Sequence, residues 1–449
     1  MGTDPNIYTA CAALAALITA VMWMDYFRTI DVFEPEKLGN LILALFIGCF
    51  TPFISLCFYA LFGLLNWDFN GEIVNDLFYS IFGIGLNEEL SKIIGVAIAF
   101  LILRKKINEP IDYLVYAGMV ALGFAMVENY SYFQKYGIEI ISSRAFYSVL
   151  EHIINTTIIV YGFYRVKLFK KGNQFQNTVV AVALAISSHG LFDFFLSNNF
   201  LGFLAPYAST FIYLIGINFW VSMLNNANNF SHMFDYSKIH RSDRVFFRLF
   251  YWYILTVNVT FGFTLLKSDL STAVYDVFYS FITSGLLLIV VILRVSRFKI
   301  YKLIYFEIKP QLPFYFTKNN DEDFKLFGTW PVKIRGENTF EYALTSYIHK
   351  EITLYPLNPK KSFLTKPTKA VIVDKVLLTD DVVIYLVKVY LDNGQRYYML
   401  KPKTAGITRI NEKHPISGLL KIESQINSAL GYSQIPYRHF KLIEWIYIK

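Results

Sequence analysis

Charged residues and cysteines are scarce in this chain of 449 residues. Only 17% of the residues are charged, whereas 55% are hydrophobic and 18% are aromatic. This balance excludes an ordinary soluble globular protein of this length, so lipid is expected to be the main solvent for much of the chain. The three cysteines, Cys11, Cys49 and Cys57, all fall in apolar runs. An odd number of cysteines in such positions indicates neither a disulfide framework nor a thiolate metal site.

The net charge of +8 does not indicate a nucleic-acid partner. Lys and Arg residues concentrate in alternate short loops between apolar runs, where the preference of basic residues for the cytoplasmic side already explains them. The first apolar run lacks a basic leader and a small-residue cleavage site, so it is expected to be a retained span. The loop charges place the N-terminus outside the cell membrane and the C-terminal region in the cytoplasm.

Apolar runs of roughly 18 residues or more predict a polytopic α-helical membrane protein with about nine transmembrane helices. The predicted spans are 7–27, 40–65, 77–103, 111–133, 145–166, 177–196, 204–224, 249–267 and 275–294. From residue 298 onward, polar and apolar residues mix and several prolines occur, which predicts a C-terminal α+β soluble domain over 298–449.

The clearest feature of this soluble domain is a β-hairpin. Val382–Leu391 and Gln395–Leu400 alternate in polarity on either side of an Asp-Asn-Gly turn. A strand is also predicted at Ala370–Leu378, with helices at 339–351 and 416–430. The domain lacks the spacing of a catalytic or phosphate-binding motif, so it is expected to be regulatory or to bind a cytoplasmic partner.

Four successive spans carry ionisable side chains, which are costly in lipid and normally mark a site or a pathway. The third span contains Glu88, Glu89 and Lys92. Glu88 and Lys92 are four residues apart and share a helix face, where an ion pair would lower the cost of burying both. Gly83 and Gly85 precede them and can loosen the helix just before the acids.

The next three spans add one set of polar residues each. The fourth carries Glu128 and Asn129, the fifth carries Glu151-His152 with Asn155, and the sixth carries His189 and Asp193. His189 and Asp193 lie one helical turn apart, so the carboxylate is placed to orient the imidazole or to act beside it as a ligand.

The predicted depths of four of these residues in the membrane are similar, so the residues can converge on one site. At 1.5 Å per residue, Glu88 lies about 17 Å from the outer end of its span, Glu128 about 8 Å, and His152 and His189 about 10 Å. Alternate spans run in opposite directions, so similar depths were not guaranteed. All four residues fall in the outer half of the membrane.

Two glutamates and two histidines form a plausible ligand set for Zn²⁺, with Glu88, Glu128, His152 and His189 as the ligands. Hydrolysis of a peptide bond needs an activated water, a proton acceptor and a cation or donors for the developing oxyanion. Glu88 is assigned as base or ligand, Glu89 as a second acid and Lys92 as their charge partner. Glu128, His152 and His189 are assigned as ligands or oxyanion contacts, with Asn129 and Asp193 in support.

Other interpretations of the same residues remain open. A buried histidine often makes only interhelical hydrogen bonds, and a Glu/Lys pair is equally typical of packed helices. The set also suits a transporter or channel with an ion or proton relay, although the sequence has no convincing internal repeat. A third alternative is an inactive scaffold.

The residues and their order resemble the PrsW-type intramembrane proteases, distant relatives of the CAAX prenyl endopeptidases. The resemblance covers about residues 20–225. It is carried by these segments: Asp31-Val32-Phe33-Glu34-Pro35-Glu36, Glu88-Glu89-Leu90-Ser91-Lys92, Phe124 with Glu128-Asn129, His152, and His189 with Asp193. Lys92 and Glu128 favour the PrsW branch, because the CAAX relatives have Arg and His at the corresponding places.

The resemblance implies an endopeptidase that cuts a membrane-bound protein, such as an anti-sigma factor or another single-span protein, near its extracytoplasmic side. It also implies that Glu88, Glu89, His152 and His189 are responsible for activity. The chain would then consist of a PrsW-like core over 1–230, additional transmembrane helices over 231–297 and the soluble domain. The last two parts are not explained by the family core, and whether a metal is required stays open, with Glu128 favouring zinc.

Overall fold

The computed structural model is helical over the membrane part of the chain and contains a β-sheet near the C-terminus. It describes residues 5–234, 242–296, 298, 300, 305–306, 308, 349, 351–356, 368–379, 382–392, 394–400, 442–443 and 446–448. These residues form two compact units, one built from helices and one from strands.

The helical unit contains twelve α-helices in the described residues. They are α1 (Pro5–Ile30), α2 (Leu38–Leu64), α3 (Ile73–Phe78), α4 (Leu86–Leu103), α5 (Pro110–Tyr136), α6 (Ile141–Ser143), α7 (Val149–Phe169), α8 (Gln174–Ser197), α9 (Ala205–Asn229), α10 (Ser242–Lys267), α11 (Leu270–Ser280) and α12 (Leu286–Val295). Three π-helical segments, Tyr79–Gly85, Arg144–Ser148 and Phe281–Gly285, join α3 to α4, α6 to α7 and α11 to α12.

The protein is a polytopic membrane protein. Six stretches of the described residues are long and apolar enough to cross a membrane: Pro5–Ile30, Leu38–Leu64, Pro110–Tyr136, Gln174–Ser197, Phe200–Asn229 and Arg244–Lys267. The predicted number of nine is not confirmed. The other three predicted spans fall in helical stretches joined to the π-helical segments, and the one around α7 also carries Glu151, Arg165 and Lys167.

Helix α5 is the centre of the helical unit, since 83% of the residues in an 18-residue apolar stretch of this helix are buried. Its start follows from sequence: Glu109 and Asp112 form a capping box around Pro110, which occupies the first helical position. Fully buried small residues such as Ala121 and Ala125 let neighbouring backbones come close. The helix therefore packs against α1, α2, α4, α7 and α9, and it can place a polar side chain at the middle of the bundle.

The helices after residue 241 pack on the same unit. Asp25 of α1 forms an ion pair with Arg248 of α10 at 3.1 Å and accepts a hydrogen bond from the indole of Trp252 at 3.1 Å. The Tyr26 hydroxyl donates to the backbone carbonyl of Val295 in α12 at 2.7 Å. These polar contacts attach the additional helices to the first helix of the bundle.

The strand unit is a six-stranded sheet with the order β5-β4-β3-β2-β1-β6. The strands are β1 (Glu351–Pro356), β2 (Thr368–Thr379), β3 (Val382–Leu391), β4 (Gly394–Leu400), β5 (Leu442–Ile443) and β6 (Ile446–Ile448). The predicted hairpin is confirmed, because β3 and β4 are antiparallel and Leu391 pairs with Gly394. The predicted strand Ala370–Leu378 lies within β2.

The α+β class of the C-terminal domain is not confirmed. The helices predicted at 339–351 and 416–430 lie outside the described residues, apart from His349 and Glu351. Of these two residues, Glu351 begins β1.

Asp31 lies directly after α1 and is a buried carboxyl group in a connecting loop. It is 1% exposed, and its Oδ2 accepts a hydrogen bond from the backbone N–H of Glu36 at 3.0 Å. Its Oδ1 is buried without a hydrogen-bond partner among the described residues. Burial, with a smaller contribution from the carboxyl of Asp112, raises the pKa of Asp31 to about 8.

Asp31→Asn is expected to make stability less dependent on pH. The pKa is higher in the folded chain than the value of about 3.9 typical of an unfolded chain. The protonated group therefore contributes its full stability below about pH 4, and this contribution is lost as the pH rises through 8. At pH 9 the variant should be more stable than the parent by a few kcal/mol, because each pKa unit corresponds to about 1.4 kcal/mol.

The measurement is the thermal unfolding midpoint in detergent between pH 5 and 9. Asp68→Asn, at an exposed carboxylate in another loop, is the control and should follow the parent curve. Parallel curves for the parent and Asp31→Asn would contradict a protonated Asp31 in the folded protein.

Candidate active site

Two glutamates and a lysine enter the protein interior in the first turns of α4. The helix begins where the π-helical segment Tyr79–Gly85 ends, and that segment contains the two glycines expected to loosen the helix. π-Helical turns next to α-helices occur frequently at functional sites. Glu88 is 8% exposed, Glu89 1% and Lys92 0%, so all three lie inside the protein.

Helix α8 reaches these residues because glycines allow two backbones to touch. A Cβ added at Gly190 would lie 2.4 Å from the Cα atom of Ile81, and one added at Gly85 would lie 2.7 Å from the carbonyl oxygen of Ile186. A side chain at either position would separate α8 from the π-helical segment. The close approach places His189, the neighbour of Gly190, beside the acids of α4.

Gly190→Ala is therefore expected to destabilise the protein by about 1–3 kcal/mol, the usual cost of overpacking. The matched control is Gly262→Ala in α10, where an added Cβ meets no atom within 4 Å. This control should be neutral or slightly stabilising, because alanine favours a helix over glycine. Thermal unfolding of both variants tests the difference, and equal midpoints would contradict the role assigned to this contact.

The ion pair expected between Glu88 and Lys92 is formed instead between Glu89 and Lys92. The Lys92 Nζ lies 2.5 Å from Glu89 Oε1. Residues three and four apart share a helix face, so spacing alone did not decide between the two acids. Glu89 also lies 2.8 Å from His189 Nδ1 through Oε1, and its Oε2 accepts a hydrogen bond from the Thr156 hydroxyl at 2.9 Å. Both of its oxygens are thus engaged.

His152 of α7 has a defined orientation between two charged groups. The Lys92 Nζ lies 3.0 Å from its Nδ1, and Glu128 Oε2 lies 2.8 Å from its Nε2. An ammonium group only donates, so Nδ1 accepts and Nε2 carries the proton that Glu128 accepts. Arg144 donates to Glu128 Oε2 at 2.7 Å and to the Asn129 side-chain oxygen at 2.7 Å, which fixes this carboxylate from the other side.

His189 has the corresponding arrangement with its nitrogens exchanged. Its Nδ1 donates to Glu89 at 2.8 Å, and its Nε2 points into the cluster. Asp193 Oδ2 lies 3.3 Å from this Nε2, and its side chain is 29% exposed. Asp193 therefore lies at the more open edge of the cluster.

One nitrogen of each imidazole faces the same carboxylate oxygen. Glu88 Oε2 lies 3.5 Å from His189 Nε2 and 4.0 Å from His152 Nδ1. It is buried and has no hydrogen-bond partner among the described residues, whereas Glu88 Oε1 accepts from the Tyr59 hydroxyl at 2.9 Å. One ligand atom from each of Glu88, His152 and His189 lies within 4.8 Å of the others. This set suits a metal ion that prefers nitrogen and oxygen ligands.

The structure brings all six residues that were assigned a catalytic role into one cluster contributed by α4, α5, α7 and α8, and all of them except Glu128 are buried. Glu128 does not face the same space as the other three predicted ligands, because it contacts the far nitrogen of His152. The two supporting residues lie at its edge: Asn129 binds Arg144, and Asp193 contacts His189.

Four further residues contact this cluster and have no role in the prediction from sequence. They are Tyr59, Arg144, Glu151 and Thr156. Glu151 could have been predicted to belong to the site, since it is a carboxylate within a predicted span and next to a predicted ligand. Arg144 falls between the predicted spans 111–133 and 145–166, in a loop that the charge pattern assigns to the outer side, whereas it lies in a π-helical segment and points inward to Glu128.

Comparison with known proteins gives the same family as the residues. Residues 36–222 match the model of the PrsW family of intramembrane metalloproteases. The protease PrsW of Clostridioides difficile (strain 630) is 31% identical over 191 residues, which are 41% of this chain and 78% of that protein.

Two relatives of lower identity match a similar share of the chain. The protease PrsW of Geobacillus kaustophilus (strain HTA426) is 26% identical over 182 residues, covering 40% of this chain and 78% of the relative. The protease PrsW of Bacillus subtilis (strain 168) is 25% identical over 209 residues, covering 45% of this chain and 91% of the relative. No solved structure matches the chain at a significant level.

Proposed function

The chain belongs to the PrsW family of intramembrane metalloproteases, and on this premise we propose how and where it cleaves its substrate. The proposed reaction is hydrolysis of one peptide bond of a membrane-bound protein, near the extracytoplasmic side, at the Glu88/His152/His189 cluster. One observation carries the proposal. Two buried imidazoles each turn one ring nitrogen toward the same carboxylate oxygen, which has no hydrogen-bond partner among the described residues.

The charges of the cluster favour a divalent cation. Glu89 is balanced by Lys92, and Glu128 is balanced by Arg144. Glu88 and Glu151 have no Lys or Arg of the described residues within 4.0 Å, and each faces the histidines. Two unbalanced carboxylates are costly in a low-dielectric interior. A divalent cation would balance both.

The ligand types favour zinc. Glu88, His152 and His189 supply one carboxylate and two imidazoles, a three-ligand set known from zinc hydrolases. Each histidine donates its other N–H to a carboxylate, His152 to Glu128 and His189 to Glu89. This second layer fixes the ring orientation and increases ligand basicity. We therefore propose Glu128 and Glu89 as orienting carboxylates, in place of the ligand and acid roles expected from sequence.

The remaining residues hold the site in position for hydrolysis. When bound, zinc supplies a Lewis acid that polarises a carbonyl and promotes deprotonation of water. Lys92 holds Glu89 through their ion pair, and its hydrogen bond to His152 Nδ1 would have to open for that nitrogen to bind the metal. The side chains of Glu128 and Asp193 are 23% and 29% exposed, more than the 10% or less of the three proposed ligands. We propose that the substrate backbone reaches the site along this more open edge.

The side of cleavage follows from the depth of the residues and from the loop charges. If the arginine- and lysine-rich loops are cytoplasmic, the N-terminus and the site lie toward the outer face. The substrate class that fits this location is a single-span protein, including an anti-sigma-factor-like one, whose peptide bond lies in the outer half of the membrane or just outside it. The transporter alternative has no support from the family comparison.

The parts outside the family match need a separate role. We propose that residues 1–230 form the protease core, that 231–297 add transmembrane helices, and that 298–449 form a cytoplasmic domain that binds a regulatory partner. The sheet of this last part contains no site residue, and the family match ends at residue 222.

The proposal is tested by reconstituting the full chain in liposomes with a set of tagged single-span peptides that differ in their juxtamembrane sequences. Mass spectrometry of the products locates the cut. We expect cleavage in the outer half of the span or beside it, with zinc present and none with Glu88→Gln. Cleavage on the cytoplasmic side would contradict the proposed orientation, and equal cleavage by Glu88→Gln would contradict the proposed site.

A further inference from the structure

Hydrolysis at this site needs a proton acceptor for the attacking water, and most carboxylates of the cluster are already engaged. Glu89 Oε1 contacts Lys92 and His189, and its Oε2 accepts from Thr156. Glu128 Oε2 contacts both Arg144 and His152. A carboxylate that holds fixed cations and imidazole N–H groups is poorly placed to accept another proton. Neither orienting carboxylate therefore fills this role.

Glu88 is also occupied by the proposed function. Its Oε2 faces one nitrogen of each imidazole, and its Oε1 accepts from the Tyr59 hydroxyl. As a ligand it would have no oxygen left that both faces the centre and is free to take a proton. If Glu88 is a ligand, another residue has to accept the proton of the attacking water.

Glu151 is the remaining buried carboxylate, and it faces the same centre. It is 4% exposed, and its Oε2 lies 3.8 Å from His152 Nδ1 and 3.9 Å from His189 Nε2. These are the same two nitrogens that face Glu88 Oε2. These distances are too long for direct hydrogen bonds, so Oε2 lies beside the two nitrogens without binding either of them. Its other oxygen accepts a hydrogen bond from Asn155, one turn further along α7.

We propose that Glu151 is a catalytic residue that accepts the proton of the attacking water, and this inference rests on the proposed function. The water oxygen bonds to the carbonyl carbon of the substrate, the π electron pair of the carbonyl moves to its oxygen, and one water proton moves to Glu151 Oε2. The C–N bond then breaks, and the same proton passes to the leaving nitrogen. Glu151 returns to its ionised form, and one water has been consumed.

The position of Glu151 next to a ligand is chemically reasonable. A glutamate adjacent to a ligating histidine is the general base in metalloproteases with the His-Glu-x-x-His pattern, where both residues lie on one helix. Here the order is reversed, with Glu151 before His152 on α7. The Asn155 contact holds one carboxylate oxygen and leaves Oε2 directed at the centre.

The test compares the reconstituted parent with Glu151→Gln, which keeps the side-chain volume and an oxygen that can accept from Asn155. Glu139→Gln is the matched control, since Glu139 pairs with Lys267 at the protein surface. For each protein, zinc per chain, unfolding midpoint, kcat and KM are measured with the tagged peptide that the parent cleaves best.

We expect Glu151→Gln to keep about one zinc per chain and a KM near that of the parent, while kcat falls by about 10²–10⁴-fold, the usual contribution of general base catalysis. Glu151→Asp, which keeps the carboxylate, should recover part of kcat. The Glu139→Gln control should match the parent in all four quantities.

Two results would overturn the assignment. Glu151→Gln that cleaves at the parent rate would show that Glu151 takes no proton, and Glu151→Gln that loses zinc would make it a ligand instead. The proposed function is judged separately in the same experiment, from the parent and Glu88→Gln. A parent that binds no zinc and cleaves no peptide would overturn the proposed function, and the assignment of Glu151 with it.

Discussion

Glu88→Gln and the double variant His152→Ala/His189→Ala are expected to lose zinc, whereas the purified parent holds about one zinc per chain. The three side chains place one ligand atom each within 4.8 Å of the others, so removal of a charged or imidazole ligand leaves too few donors to retain the ion. Peptide cleavage should fall by at least about 10⁴-fold, because groups that act as one catalytic unit fail together.

Elemental analysis of the folded proteins gives the metal content, and a melting curve shows that each variant is folded. Without zinc, the variants should also lose the stabilisation that the parent gains on adding the metal. His232→Ala and Glu139→Gln are the controls, since both residues lie outside the cluster.

The opposite result has a defined meaning. Zinc absent from an active parent would contradict the metal site and leave a protease in which a glutamate alone activates water, with the histidines holding substrate and oxyanion. Zinc retained by the double histidine variant would place the ion elsewhere in the chain.

Lys92→Met is expected to cause the largest loss of stability of any single change considered. The ammonium is fully buried, 2.5 Å from Glu89, 3.0 Å from His152 and 4.9 Å from the ring centroid of Phe124. Methionine fills a similar volume but leaves the Glu89 carboxylate without its cation. Breaking one side of a buried ion pair typically costs about 3–5 kcal/mol.

A second substitution distinguishes charge from packing. Glu89→Gln combined with Lys92→Met removes both charges while an amide oxygen still accepts from His189. This double variant should recover most of the lost stability, because neutral replacement of a buried pair is often tolerated. It should not recover activity, since Glu89 orients His189 and Lys92 contacts His152.

The measurement is thermal unfolding of parent, both single variants and the double variant in the same detergent. A double variant as unstable as Lys92→Met would show that lost packing, not an uncompensated charge, causes the effect. Recovery of cleavage in the double variant would contradict the positioning role of the pair.

Lys92 shows which features of the site could be predicted from the sequence and which could not. Its burial was predictable, because a lysine within an apolar run of 27 residues avoids lipid by facing the interior of the protein. Its partner was not, since Glu88 and Glu89 both lie within reach on the same helix. The choice of Glu89 depends on His189 and Thr156, which belong to other helices and contact Glu89 as well.

Glu128 and Arg144 illustrate the same limit. The sequence located Glu128 at the depth of the histidines but did not show which nitrogen of His152 it faces. The predicted spans leave Arg144 in the loop between residues 133 and 145. The π-helical segment Arg144–Ser148 turns it inward, and it contacts Glu128 and the Tyr132 ring.

The order of residues along the chain is enough to predict a membrane protein, the position of most of its apolar segments and the ionisable residues that share a depth. Each of these follows from local composition, because lipid requires long apolar runs and penalises charge wherever it occurs. The packing of the helices, in contrast, sets which carboxylates are neutralised and which face the imidazoles. Those pairings depend on distances of a few ångströms between helices, and contacts such as that of Gly190 with Ile81 set them.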